Sequence, residues 1–190
     1  MIRAYHVIFT AYGFWLPNDP RGSWSELVRQ WELYGFGPAT KVHTHQSVAH
    51  RPHNPTARER PKQALQHEPV HFTGPQAREI ARGFGSVVAR CGYVVYAAAI
   101  LPQHVHMVIA RSGVRAEQML RRFKQAATQQ LRQAGLDPMD GLASPWARDC
   151  WKVFLDDAAS VRQAIRYVEA NPEREGKPMQ RWSFVTPFEG

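Results

Sequence analysis

Cysteine is almost missing from this chain: Cys91 and Cys150 are the only two in 190 residues, far apart and without a CxxC spacing. That excludes a disulfide framework and a thiolate zinc site, and reduced thiols are expected. Long apolar runs are absent too. None approaches the roughly 20 residues a membrane helix requires, so no transmembrane segment is expected. The amino-terminal MIRAYHVIFTAYGFW has no basic head, apolar stretch and small-residue cleavage site, which argues against a secretory signal and for a cytoplasmic protein. There is no Gly-rich phosphate loop, internal repeat or low-complexity tract.

Acidic residues are the other shortage. Sixteen Asp and Glu stand against 24 Lys and Arg, a formal net charge of +8, with a pI near 9.9. A cationic chain favours a polyanionic partner, because each phosphate it neutralises releases condensed counterions. Composition alone does not select nucleic acid from other anions. A hydrophobic content of 44% with 21% charged residues is ordinary for a globular protein, and the length suits one domain with a sizeable core.

Along the chain, AYHVIFTAYGF at 4–14 is aromatic and β-branched with rough alternation, which predicts a strand. From Trp15 to about Gly74 the character changes: this stretch holds seven of the fourteen prolines and six of the nine histidines. It reads as an insertion into the domain at about 15–74, helical in part near Glu26 to Tyr34. Pro75 opens a helix in which Ile80, Phe84, Val87 and Val88 recur at helical spacing before Gly92. YVVYAAAI at 93–100 and HVHMVIA at 104–110 predict adjacent strands. Residues 114–134 place Val114, Met119, Leu120, Phe123, Ala127 and Leu131 on one helical face. DCWKVFLDD predicts a last strand, and AASVRQAIRYVEANP a helix that Pro172 should close. The order β-α-β-β-α-β plus one helix predicts an α+β fold: a ferredoxin-like antiparallel sheet with helices on one face and an appended C-terminal helix.

Two pairs of side chains carry chemistry. On a strand, His104 and His106 point to one face while Val105 points to the other, so both imidazoles can reach one metal ion. Zinc, manganese, cobalt or nickel suit such a pair, and magnesium suits it when oxygen ligands complete the site. Two partly buried histidines hydrogen-bonded to neighbours would show the same spacing. A competing pair of histidines, His43 and His45, lies in Pro-rich sequence and reads as solvated loop. On the last helix Tyr167 and Asn171 are four apart and share a face, as does Gln163. Asn171 can offer a carbonyl oxygen to a metal and Tyr167 a phenol oxygen to an electrophile, although a tyrosine at an amphipathic rim looks no different. The helix at 114–134 carries Arg115, Arg121, Arg122, Lys124 and Arg132 against one acid, Glu117. This balance fits DNA phosphates or an ordinary solvated face. Trp146, Trp151 and Trp182 could stack on bases, but core packing is the commoner use of tryptophan.

Taken together, these segments resemble a family. LPQHVHMVI is similar to the LP-x-H-hydrophobic-H motif of the single-tyrosine HUH transposases, in particular the REP-associated tyrosine transposases. PWARDCWKVFLDD and IRYVEANPEREG resemble their W-x-R strand and Y-hydrophobic-x-x-N-P motif. These matches run in the family's order over roughly residues 95–176, and YHVIFTAYGFWL resembles its first strand. The resemblance implies a metal-dependent transposase and nuclease acting on single-stranded or hairpin DNA, as a monomer or homodimer. His104, His106 and Asn171 would then hold a divalent metal, magnesium or manganese first. Tyr167 would be the catalytic nucleophile, forming a 5′-phosphotyrosine. Alternatives are a non-cutting hairpin-binding relative and a hydrolase using metal-activated water. Two departures stand out: the long His-rich insertion, and Glu-Arg-Glu-Gly after the Asn-Pro, expected to affect packing only.

Overall fold

The computed structural model describes residues 1–44 and 48–190. Four strands, β1 (Ala4–Thr10), β2 (Val95–Ile100), β3 (His104–Ala110) and β4 (Trp151–Leu155), form one antiparallel sheet in the order β2-β3-β1-β4. This is the ferredoxin-like order, and the fold is α+β. Helices α2 (Gly74–Cys91) and α3 (Ala116–Gln133) cover one face of the sheet, and α4 (Ala158–Arg174) lies on the other.

Strand alternation decides which residues go where. Tyr5, Val7, Phe9, Val105, Met107 and Ile109 enter the main core with Ile80, Phe84 and Phe123 from α2 and α3. Ala4, Ala97, Ala99, Val108 and Leu155 face α4, whose Val161, Ala164 and Val168 fill a smaller second core. The small alanines let α4 approach the β2–β3 half of its face closely. α2 and α3 also cross closely: a Cβ on Gly83 would stand 2.8 Å from the Ala126 carbonyl oxygen and the Ala127 Cα. α2 starts at a capping box between Thr73 and Gln76 and stops at Gly92, whose φ of 65° only glycine adopts readily.

Several boundaries differ from the sequence reading, three of them for a physical reason visible in the structure. β1 stops at Thr10 rather than running to residue 14, because Gly13, at φ 83°, turns the chain tightly under Pro69. The helix expected near 26–34 is a short 3₁₀ turn, Trp31–Phe36, with no side-chain cap and only Leu33 buried. The last helix does not close at Pro172 but runs on to Arg174. Proline's fixed φ is helical, and its missing N–H removes a single bond, while Glu175 still donates to the Asn171 carbonyl at 3.2 Å.

Between β1 and α2 the described residues add that 3₁₀ turn and a short helix α1 (Pro55–Gln63), and no strand of the sheet. A small cluster of Leu16, Val28 and Leu33 gives this segment its own apolar centre. His43 is exposed, and His45 lies outside the described residues. No helix among the described residues is long and apolar enough to cross a membrane.

Candidate active site

His104 and His106 project from the α4 face of β3, the rings meeting edge to face with centroids 4.8 Å apart. A third histidine joins them. In β1, Val7 and Phe9 go to the main core, so His6 and Ile8 must face α4. Ile8 pairs with His106 and His6 with Val108, which sets His6 diagonally beside His106. Their rings stack at 5.4 Å, and His6 Nε2 lies 3.2 Å from His106 Nδ1. One of these nitrogens carries the shared proton. In the tautomer in which His106 Nδ1–H donates to His6 Nε2, the Nε2 lone pair of His106 is left for another partner, the arrangement in which a neighbour orients a metal-binding imidazole. Alternation within 4–10 could have revealed His6, given the ferredoxin-like order that places β1 beside β3.

Tyr167 reaches the same place from α4. Its ring lies edge-on to His6 at 5.7 Å and to His106 at 5.6 Å, and it is 38% exposed, so the phenol remains open to solvent. Asn171, one turn on, is buried, and its side-chain Nδ2 has no hydrogen-bond partner among the described residues. A half-turn of the amide exchanges nitrogen and oxygen. The residues after Asn-Pro are not mere packing. Because the helix continues past Pro172, Arg174 lies over the Tyr167 ring at 5.3 Å, and Glu175 Oε1 is 3.5 Å from His104 Nε2.

Burial sets the electrostatics. Desolvation lowers the pKa of His6 and of His104 to about 4. The His106 pKa falls well below the ordinary value, through burial first and then its two histidine neighbours. Burial pushes the Glu175 carboxyl up. The histidines are therefore neutral near pH 7 and keep the lone pairs that metal ligation needs.

The donor set suits a divalent cation in kind: two neutral imidazoles on one face and a buried amide in need of a partner. Among the described residues no three His, Cys, Asp or Glu side chains converge as a complete metal site. Further donors would have to come from the Asn171 amide and from oxygens of a bound ligand.

These residues form part of the lining of an open cleft of about 2400 Å³. α4 covers the β2–β3 half of its sheet face, so the β1–β4 half is left as floor, with Ile8, Thr10, Trp151 and Val153 lining it. The segment after β1 also lines it, through Trp15, Trp24 and Arg29 among others. Arg29, Arg121, Arg148 and Arg174 line the cleft, are exposed, and make no ion pair with any described residue. Of the DNA-contact residues expected from sequence, Arg121, Lys124 and Gln163 line this cleft, while Arg115 and Arg122 do not. Lys124 is not free for phosphate: its Nζ donates to the carbonyls of Ala147, Arg148 and Asp149 at 2.8, 3.2 and 3.2 Å. Arg122 is bonded to the Tyr93 hydroxyl.

A ferredoxin-like sheet with an imidazole pair on one strand and a tyrosine helix lying across it defines the structural class. Within that class, the fold is shared with a solved REP-associated tyrosine transposase bound to a REP hairpin. The two are 12% identical, the match covers 92% of this chain and 68% of that one, and the TM-score is 0.50. A second solved structure, a protein proposed to be a transposase from Deinococcus radiodurans R1, is 12% identical over 87% of this chain and 90% of its own, with a TM-score of 0.40. No protein-family model matches the chain, and no curated protein matches it by sequence.

Proposed function

We propose that this protein is a metal-dependent transposase-type nuclease that cuts and rejoins single-stranded or hairpin DNA through a covalent bond to Tyr167. The observation that carries this reading is the exposed Tyr167 side chain standing edge-on to the His6–His106 pair in a cleft also lined by arginines without ion-pair partners among the described residues. A cleft edged by cations with aromatic side chains in its lining suits a single strand, whose phosphates follow the cations and whose unpaired bases are free to stack. The fold likeness to a transposase solved with a REP hairpin supports the same substrate class.

A divalent cation, magnesium or manganese, held by His104, His106 and Asn171 would withdraw charge from the phosphate and stabilise the departing oxygen. The chain's own residues do the rest. Tyr167 Oη forms a bond to phosphorus as the bond from phosphorus to the 3′ oxygen breaks. The phenol proton passes to solvent at the exposed end of the ring, and the 3′ oxygen takes one up to become a hydroxyl. The positive charge of Arg174 over the Tyr167 ring is well placed to draw the phosphate to the phenol. His6 holds His106 in one ring orientation. The 5′-phosphotyrosine keeps the energy of the cut bond, so a second DNA end with a free 3′ hydroxyl can reverse the attack and rejoin the strand.

The test is covalent capture. Wild-type protein incubated with labelled hairpin oligonucleotides carrying single-stranded flanks, with manganese or magnesium, should yield DNA-linked protein after denaturation. Tyr167→Phe should bind the same DNA and give no adduct; His104→Ala with His106→Ala should also give none. Cutting without an adduct would establish the water-activating hydrolase instead, and binding without cutting the non-catalytic relative.

A further inference from the structure

Trp151 is the first residue of β4 and pairs with Ile8, which on its other side pairs with His106. Directly paired residues share a sheet face, so His106, Ile8 and Trp151 form one row across the α4 side of the sheet. Two strand spacings separate the ends of that row, roughly 10 Å. This places an indole on the floor of the cleft within one or two nucleotides of a phosphate held at Tyr167. Trp151 is half-buried and lines the cleft. The other two tryptophans that sequence offers for stacking are elsewhere: Trp146 is 4% exposed in the main core, and Trp182 packs at the edge of that core.

The indole is braced from the insertion. Trp24 meets it edge to face at 4.5 Å, and next to it the Ser25 hydroxyl donates to Asp149 at 3.1 Å, tying this wall to the entrance of β4. The Trp24 indole N–H is buried without an acceptor among the described residues, although the ring also lines the cleft. A half-buried aromatic pair inside a groove edged by unpaired guanidinium groups has the composition of a single-strand path, in which cations follow the phosphates and aromatic faces take the bases.

We propose that Trp151, braced by Trp24, is a stacking platform for an unpaired nucleobase of the strand next to the cut phosphate. The inference rests on the single-strand reading above and adds a base-binding subsite to it. Its consequence is that the insertion acts in substrate binding, by holding one wall of the platform in place.

Two measurements on the full chain test this, both made in the Tyr167→Phe background so that binding is separated from cutting. In the first, the affinity for a short oligothymidylate is compared with that for a chain of equal length made of abasic units, which has the same phosphates and no bases. Wild-type Trp151 should favour the strand with bases. Trp151→Ala should cut that preference by about tenfold while leaving the salt dependence of binding unchanged, and Trp182→Ala should leave both unchanged. In the second, which needs no variant at Trp151, an oligonucleotide carrying 5-iodouracil is photo-crosslinked and the attachment mapped by peptide mass. Crosslinking at Trp151 or Trp24 is expected. An unaltered preference for bases in a folded Trp151→Ala, or crosslinks confined to other residues, would overturn the platform and leave the nuclease reading standing. Failure to bind either strand would remove both, and an adduct in the Tyr167 wild type with no base preference would remove the platform alone.

Discussion

Acidification should destabilise this fold through its histidine cluster, by an amount that the structure specifies. His6 and His104 have pKa values of about 4 in the folded chain, set by burial, against about 6.5 when unfolded. The unfolded state therefore binds protons that the folded state refuses. Stability contributed by the neutral rings is fully present above about pH 6.5, is lost as pH falls from there to about 4, and changes no further below. At about pH 5 each ring costs about 2 kcal/mol relative to neutrality, so the two together cost about 4 kcal/mol, and His106 adds to this. Glu175 works in the opposite sense: its raised pKa lets the folded state take up a proton before the unfolded state does, which offsets part of the loss. For a chain of this size about 4 kcal/mol corresponds to a fall of about 10 °C in Tm. Thermal unfolding followed by circular dichroism between about pH 7.5 and 5 measures it. Carboxylates elsewhere also titrate, so the comparison that isolates the cluster is the double variant His6→Gln with His104→Gln, which should lose less than half as much Tm over the same interval. An equal loss in both proteins would refute the assignment of neutral, desolvated rings to this face.

Gly83→Ala should destabilise the fold by about 1–3 kcal/mol in urea titrations, although alanine is the better helix former, because its Cβ would meet α3 backbone rather than a movable side chain. A variant as stable as wild type would mean that α2 and α3 are not packed this closely. Lys124→Met should cost about 1.5–3 kcal/mol by leaving three carbonyls without their charged donor, with faster hydrogen exchange across 146–151. Unchanged exchange there would show that the lysine does not hold the approach to Trp151.

Much of this molecule is legible in its sequence because the relevant signals are local. Period-two alternation in HVHMVIA is enough to place His104 and His106 on one face, and a four-residue step is enough to put Tyr167 and Asn171 on one stripe of a helix. Pro75 near its start and Gly92 just past its end mark α2 in the same way. Boundaries proved harder where chain geometry depends on distant contacts: β1 ends early because Gly13 turns beneath Pro69, and α4 outlasts its proline.

By itself the sequence determined the order of elements, the two imidazoles on one strand face and the tyrosine one turn before an asparagine, since each follows from backbone periodicity within a few residues. Tertiary structure alone decided the rest of the site. Strand register brought His6 to His106 across 100 positions of sequence, and the same register put Trp151 in their row. Packing diverted Lys124 to backbone carbonyls and Arg122 to Tyr93, and left Arg29, Arg121, Arg148 and Arg174 unpaired around the cleft. The physical reason is that a side chain's direction is set by its own backbone, whereas its partner, its burial and hence its charge state are set by whichever distant segment the fold lays against it.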